Sequence, residues 1–147
     1  MLFINAKKNG KFPVIQQGFK PIVGFSSNEN FFKDFNNVLL FGDHTLSLYK
    51  PTTPFFIASD GIKILKLINT NSNFFKNLLF KNMPKSEGYK RHFGIVKNIK
   101  TKIPTDLKEQ EAIGEFFRKI DEILELSQNR ISKLENIKKY LLNKMFV

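Results

Sequence analysis

A chain of 147 residues that is 41% hydrophobic and 14% aromatic has the material for one core and an appendage. The absence of Cys excludes a disulfide scaffold and a thiolate metal site, and is compatible with a reducing cytoplasm, the expected location. No stretch approaches the ~18 apolar residues of a membrane span, and Met1 to Lys11 has no apolar run of signal-peptide length, so no membrane partner is expected.

The formal net charge of +11 is unevenly placed. Residues 1–105 hold 16 Lys or Arg against 5 acids, whereas residues 106–147 hold 8 of each sign. This predicts a strongly basic domain over 1–105 and a neutral arm over 106–147. A bias toward lysine codons would spread the excess evenly. Its confinement to one part points to a polyanionic partner.

In chain order, Phe12 to Gln16 and Ile22 to Phe25 read as short strands, with Gly18 and Pro21 punctuating the link. Phe31, Phe32 and Phe35 are expected to cover apolar surface as one helical turn. Val38 to Phe41 is a continuous apolar run, which suits a strand buried on both faces. Thr45 to Tyr49 alternates and reads as the next strand. Pro51 and Pro54 frame a loop, Phe55 to Ala58 is a further apolar run, and Asp60-Gly61 turns the chain into a strand from Ile62 to Leu67. Asn69 to Asn73 can cap a helix over Phe74 to Met83, which Pro84 ends. Lys85 to His92 is a polar, basic loop. Ile95, Ile99 and Ile103 lie in an extended segment that leads into the arm. The class is α+β: a small mixed domain of short strands followed by a long helical arm.

The arm runs from Asp106 to Phe146. Ile113, Phe117, Ile120, Leu124, Ile131, Leu134, Leu141 and Met145 recur at three- and four-residue steps, so they share one helix face. Ser127 and Lys138 interrupt the stripe. Asp106 and Glu109 have the spacing of a capping box. A helix of this length reaches roughly 60 Å, with kinks expected near Gly114 or Ser127. Its free end lacks chain to cover the stripe. Pairing is therefore expected through Ile120, Leu124, Ile131, Leu134, Leu141 and Met145.

Four polar stretches are candidate contacts with double-stranded DNA. In Gly88-Tyr89-Lys90-Arg91-His92, Arg91 can fork onto guanine, Lys90 can pair with a phosphate, Tyr89 offers a flat ring and His92 a switchable donor; the alternative is a solvated basic loop. Gly42-Asp43-His44-Thr45 follows a buried strand and can present three polar side chains; the alternative is a hairpin turn in which Asp43 bonds its own backbone. Asp60-Gly61-Ile62-Lys63 is the same kind of object, with Lys63 as its cation, and here the plain turn is the favoured alternative. Gln16 and Gln17 end a strand, beside Lys20; Gln can read adenine, and a polar strand end is the alternative.

Catalysis is not expected. A common metal-dependent nuclease pattern needs an acid-x-Lys pair. Asp60-x-x-Lys63 and Glu87-x-x-Lys90 are one residue longer, so on a strand each acid would face away from its lysine. Phosphate-loop, nucleophile-elbow and zinc-hydrolase motifs are absent. A binder with no catalytic residue, metal or cofactor of its own is the expectation. A helical-arm interaction protein and a small nuclease are the alternatives.

The run Ile103-Pro104-Thr105-Asp106-Leu107-Lys108-Glu109-Gln110, then Ile113, Phe116-Phe117, Ile120-Asp121 and Ile123, resembles the start of the conserved helix of type I restriction–modification specificity (S) subunits. The stretch from Leu134 to Phe146 is similar to that helix's end. Phe12 to Gly18, Leu40 to Thr45, Ala58 to Gly61 and Gly88 to Phe93 look like marks of a target-recognition domain of the same family. The resemblance implies a sequence-specific DNA-binding subunit without chemistry, holding recognition domains apart on antiparallel helices. It implies methyltransferase partners that use S-adenosylmethionine, and a restriction subunit that uses ATP and Mg. A full S subunit has two recognition domains and two arms, and usually a strand and a Gly-containing turn ahead of the segment resembling Phe12 to Gly18. One domain and one arm leave three alternatives: a half-subunit that pairs with itself, a piece that complements another half, and a truncated remnant.

Overall fold

The computed structural model describes residues 6–88 and 90–146. Two small sheets form the domain. In the first, β1 (Phe12–Ile15) lies between β2 (Ile22–Ser26), to which it is antiparallel, and β5 (Phe56–Ile57), to which it is parallel. In the second, β3 (Val38–Gly42) lies between β4 (Leu48–Tyr49) and β6 (Ile62–Lys66), antiparallel to both. Every residue of β3 is buried, as its unbroken apolar run requires. Ile15, Val38, Leu40, Phe55, Ile57 and Ile62 form the core where the sheets meet. Fully burying a side chain of this kind contributes about 1.5–3 kcal/mol. The α+β class and the long C-terminal helix are as expected.

Three local expectations change. The strand expected over Thr45 to Tyr49 shortens to Leu48–Tyr49, because the chain reverses sharply after Gly42. Leu46 N–H donates to Gly42 C=O (2.9 Å), Gly42 N–H to Ser47 C=O (2.8 Å), and Leu46 takes a left-handed φ of 55°. Phe31, Phe32 and Phe35 form no helical turn. Phe32 instead bridges to Phe55 through paired backbone hydrogen bonds, and their rings stack at 5.2 Å. The extended segment around Ile95 begins as a single helical turn, α2 (Phe93–Val96), whose Ile95 and Val96 N–H groups donate to His92 C=O.

Helix α1 (Ser72–Lys81) starts two residues earlier than its apolar spacing indicates. Asn71 sets that start: its side-chain oxygen accepts from Asn73 N–H and Phe74 N–H, both at 3.0 Å. The arm is one continuous helix, α3 (Leu107–Met145), of 39 residues, about 58 Å long. Asp106 caps it by accepting from Lys108 N–H (2.9 Å). Neither Gly114 nor Ser127 interrupts it. Among the described residues, no helix is long and apolar enough to cross a membrane.

Gln110 and Gly114, one turn apart, are the buried residues of α3. Gln110 is 1% exposed. Its Oε1 accepts from Asn71 N–H (3.0 Å) and its Nε2 donates to Pro104 C=O (2.8 Å). A Cβ on Gly114 would lie 2.7 Å from both Asn71 Oδ1 and Phe74 N, so this glycine serves close approach of α1 to the arm. Lys76 closes the contact on the outside with a 3.0 Å ion pair to Asp121.

Gly114→Ala should therefore cost about 1–3 kcal/mol in urea denaturation, the range for overfilling a packed contact. Gly94→Ala, where nothing lies within 4 Å of the added carbon, should be neutral or slightly stabilising in the same assay.

Candidate nucleic-acid interface

The four polar stretches, far apart in sequence, meet at one end of the sheets around Asp43. Asp43 is 2% exposed and sits where β3 ends. Its N–H donates to Gly61 C=O (2.8 Å), tying the β3 end to the turn before β6. Its Oδ1 accepts from Phe93 N–H (2.8 Å), and Lys63 Nζ stands 3.7 Å from Oδ2. Its C=O accepts from His92 N–H (2.9 Å) and lies 3.1 Å from His92 Nδ1.

His92 is fully enclosed. Glu87 N–H donates to its Nε2 (3.1 Å), so Nε2 carries the lone pair and Nδ1 the proton. Neutral imidazole thus uses both nitrogens, one toward Asp43 C=O and one toward Glu87 N–H. The expectation that Asp43 and His92 contact a ligand gives way here. Both are enclosed and committed to each other, and their work is to seat the 87–92 loop on the β3 end.

Gln17 performs the same task from the β1–β2 loop. Its Oε1 accepts from His44 N–H (3.1 Å), and its amide lies across Gly61 so closely that a Cβ there would collide with it. Gly42 has the same constraint: a Cβ would meet the hydroxyls of Thr45 and Ser47 and the Cβ of Gln17. Gly42 and Gly61 are therefore what lets three segments close over one another. Gly18 N–H donates to Ser47 Oγ (2.9 Å), which fixes the β1–β2 loop to the 43–47 turn.

Around this framework, Gln16, Lys20, Thr45, Lys90 and Arg91 are exposed, and Gln17, His44 and Lys63 are partly so. Tyr89 lies outside the described residues. Lys90 pairs with Glu87 at 2.7 Å. The hydrogen bond and charge of Lys90 hold the Glu87 carboxyl below the usual carboxylate range, and Glu87 in turn raises the Lys90 ammonium. Both side chains face water, so this pair shapes the loop more than it stabilises the fold. Among the described residues, no group of three or more His, Cys, Asp or Glu side chains is arranged to hold a metal ion.

The arm carries the second surface. Ile113 and Phe117 begin the apolar stripe against α1, where an open groove of about 520 Å³ is lined also by Phe74, Leu78 and Phe80. Beyond it the stripe stands clear of the domain. Ile120, Leu124, Ile131, Leu134, Leu141 and Met145 are between 36% and 73% exposed. Ile123 and Leu142, not singled out by the three-four spacing, are exposed at the two margins of the same stripe, which covers about 100° of the helix circumference. Arg118 forms ion pairs with Glu115 and Glu122 inside the arm, which is how the arm's charges cancel locally.

Comparisons with protein-family models, with curated proteins and with solved structures returned no match.

If Asp43 is the seat of the loop, Asp43→Ala should lower stability by about 1–3 kcal/mol, the cost of stranding buried hydrogen-bonding groups. Amide exchange should accelerate at Phe93 and across residues 85–92, with α3 unaffected. Hydrogen-exchange mass spectrometry reads both regions at once.

Proposed function

We propose that this chain is a DNA-recognition half-subunit of the type I restriction–modification kind. It reads one half of a bipartite target with the loops gathered around Asp43, and pairs with a second such half through its arm. The observation that carries this reading is the division of the molecule. Exposed Lys20, Lys90 and Arg91 lie in loops, and partly exposed Lys63 at the start of β6, that meet at one end of a domain holding all the excess positive charge. The balanced arm leaves that domain after about its first four turns with its apolar stripe uncovered.

In this reading phosphates give affinity through the lysines, and base edges give specificity through side chains such as Gln16, Thr45 and Arg91. Asp43, His92 and Gln17 hold those side chains in register. The chain supplies no chemistry. Methyl transfer from S-adenosylmethionine and any ATP- and Mg-dependent cleavage belong to partner subunits docked on it. Two-fold pairing of the arms makes one patch meet its own copy, which matches a symmetric or nearly symmetric target.

Reversing the charges of Lys90 and Arg91 together should weaken binding to every duplex and flatten the dependence of log K on log[salt] by about two contacts' worth. Leu134→Asp should leave the circular-dichroism spectrum of the domain intact and abolish dimers in sedimentation velocity. Dimers of the wild type with no salt-dependent duplex affinity would replace this reading with that of a helical interaction protein.

A further inference from the structure

The β1–β2 loop carries a side chain that the fold does not use. Phe19 is 98% exposed, the most exposed large apolar side chain among the described residues. Apart from Phe146 at the end of the arm, the other exposed phenylalanines have company: Phe32 stacks on Phe55, Phe116 meets Phe117 edge to face, and Phe80 lines the groove beside α1.

The loop beneath Phe19 is pinned at both ends. Gln16 N–H donates to Pro21 C=O (2.8 Å), Gln16 Nε2 to Lys20 C=O (3.3 Å), and Gly18 N–H to Ser47 Oγ (2.9 Å). Gly18 adopts a φ of +121°, a conformation that L side chains rarely take. The backbone around Phe19 is thus tied down on both sides, by one main-chain and two side-chain hydrogen bonds, while the ring itself stays in solvent. Its anchor, Ser47, belongs to the turn that also bears Asp43 and His44, so Phe19 rises from the same end as Lys63, Lys90 and Arg91.

The surroundings of the ring select its occupant. A protein-docking surface needs contiguous apolar area. Phe19 lies between half-exposed Gly18 and exposed Lys20, with exposed Gln16 and half-exposed Gln17 before them; the exposed apolar Ile22 and Val23 come beyond Pro21, in β2, so the ring itself stands in a polar, cationic segment. That is the composition of an apolar wedge between base pairs, with a lysine beside it to meet the backbone. Resting on the DNA-reading proposed above, we infer that Phe19 inserts between adjacent base pairs of the bound duplex, partly unstacking that step and bending the DNA.

The chain contains no Trp, so Phe19→Trp creates a single reporter at the ring itself. The probe is a short duplex recovered from a random pool by the wild-type protein, with 2-aminopurine substituted at successive positions. Insertion predicts that the Trp emission of Phe19→Trp is quenched on binding while its affinity stays near that of wild type. It predicts that wild type brightens 2-aminopurine at one step only. Phe19→Ala should lose that brightening and about ten- to a hundredfold in affinity, the equivalent of one base stack, with an unchanged salt slope. Duplex binding with unquenched Trp, or with Phe19→Ala as tight and as bright as wild type, overturns the wedge and leaves the DNA-reading intact. An affinity loss seen only when methyltransferase subunits are present also overturns it, and makes Phe19 a protein contact. Failure of wild type to recover any duplex overturns the DNA-reading itself, and the wedge with it.

Discussion

One enclosed side chain bonds the two parts of this molecule to each other. Gln110 reaches from the first turn of the arm to the backbone N–H of Asn71 and to the carbonyl of Pro104, and is almost wholly enclosed in doing so. Asn71 is itself the cap of α1, so the residue that starts one helix is the residue that the other helix grips. A buried amide with unmet partners is expensive, which makes this contact selective for the single arrangement that satisfies every group. Gly114 completes it by leaving room for Asn71 and Phe74. The direction in which the arm leaves the domain is therefore fixed in part by a glutamine and a glycine, beside the apolar contact of Ile113 and Phe117 with α1 and the Lys76–Asp121 ion pair.

Much of this architecture was legible in the residues. The apolar run Val38 to Phe41 announced a buried central strand, Asp106 announced the start of the arm, the polar run Asn69 to Asn73 announced a helix without giving its first residue, and the uneven charge set the arm apart. Those signals act over a few residues, or sum over many. The features that escaped are long-range. Nothing local says that Leu46 turns left-handed, because the reversal depends on Gly42 and Ser47 bonding each other. The pairing of His92 with Asp43 joins residues 49 apart in the chain. Gln110 looked like part of a motif, and its function depends on a cap nearly forty residues upstream. Gly114 suggested a weak point in the helix; its lack of a side chain is spent on an approach from outside.

The candidate site divides in the same way. The four polar stretches were visible because polar residues at turns stand out in an apolar chain. Which of them face outward was not visible, since Asp43 and His92 have the same chemistry as exposed contact groups until their neighbours are known. Burial converts them into the framework, and leaves Lys20, Thr45, Lys90 and Arg91 on the outside. Phe19 escaped for the opposite reason: a lone phenylalanine in a 14% aromatic chain reads as core. Only the pinned loop beneath it sets it apart.

The continuity of α3 has a geometric consequence for anything laid along it. The apolar positions advance by seven residues for every two turns, whereas an α-helix needs slightly more than seven to come round again, so the row slips by about 20° per repeat. Between Ile120 and Leu141 the slip reaches roughly 60°. A rod set parallel to the axis at one end would have slid off the row by the other. A mate stays in contact only by winding around it in a left-handed sense.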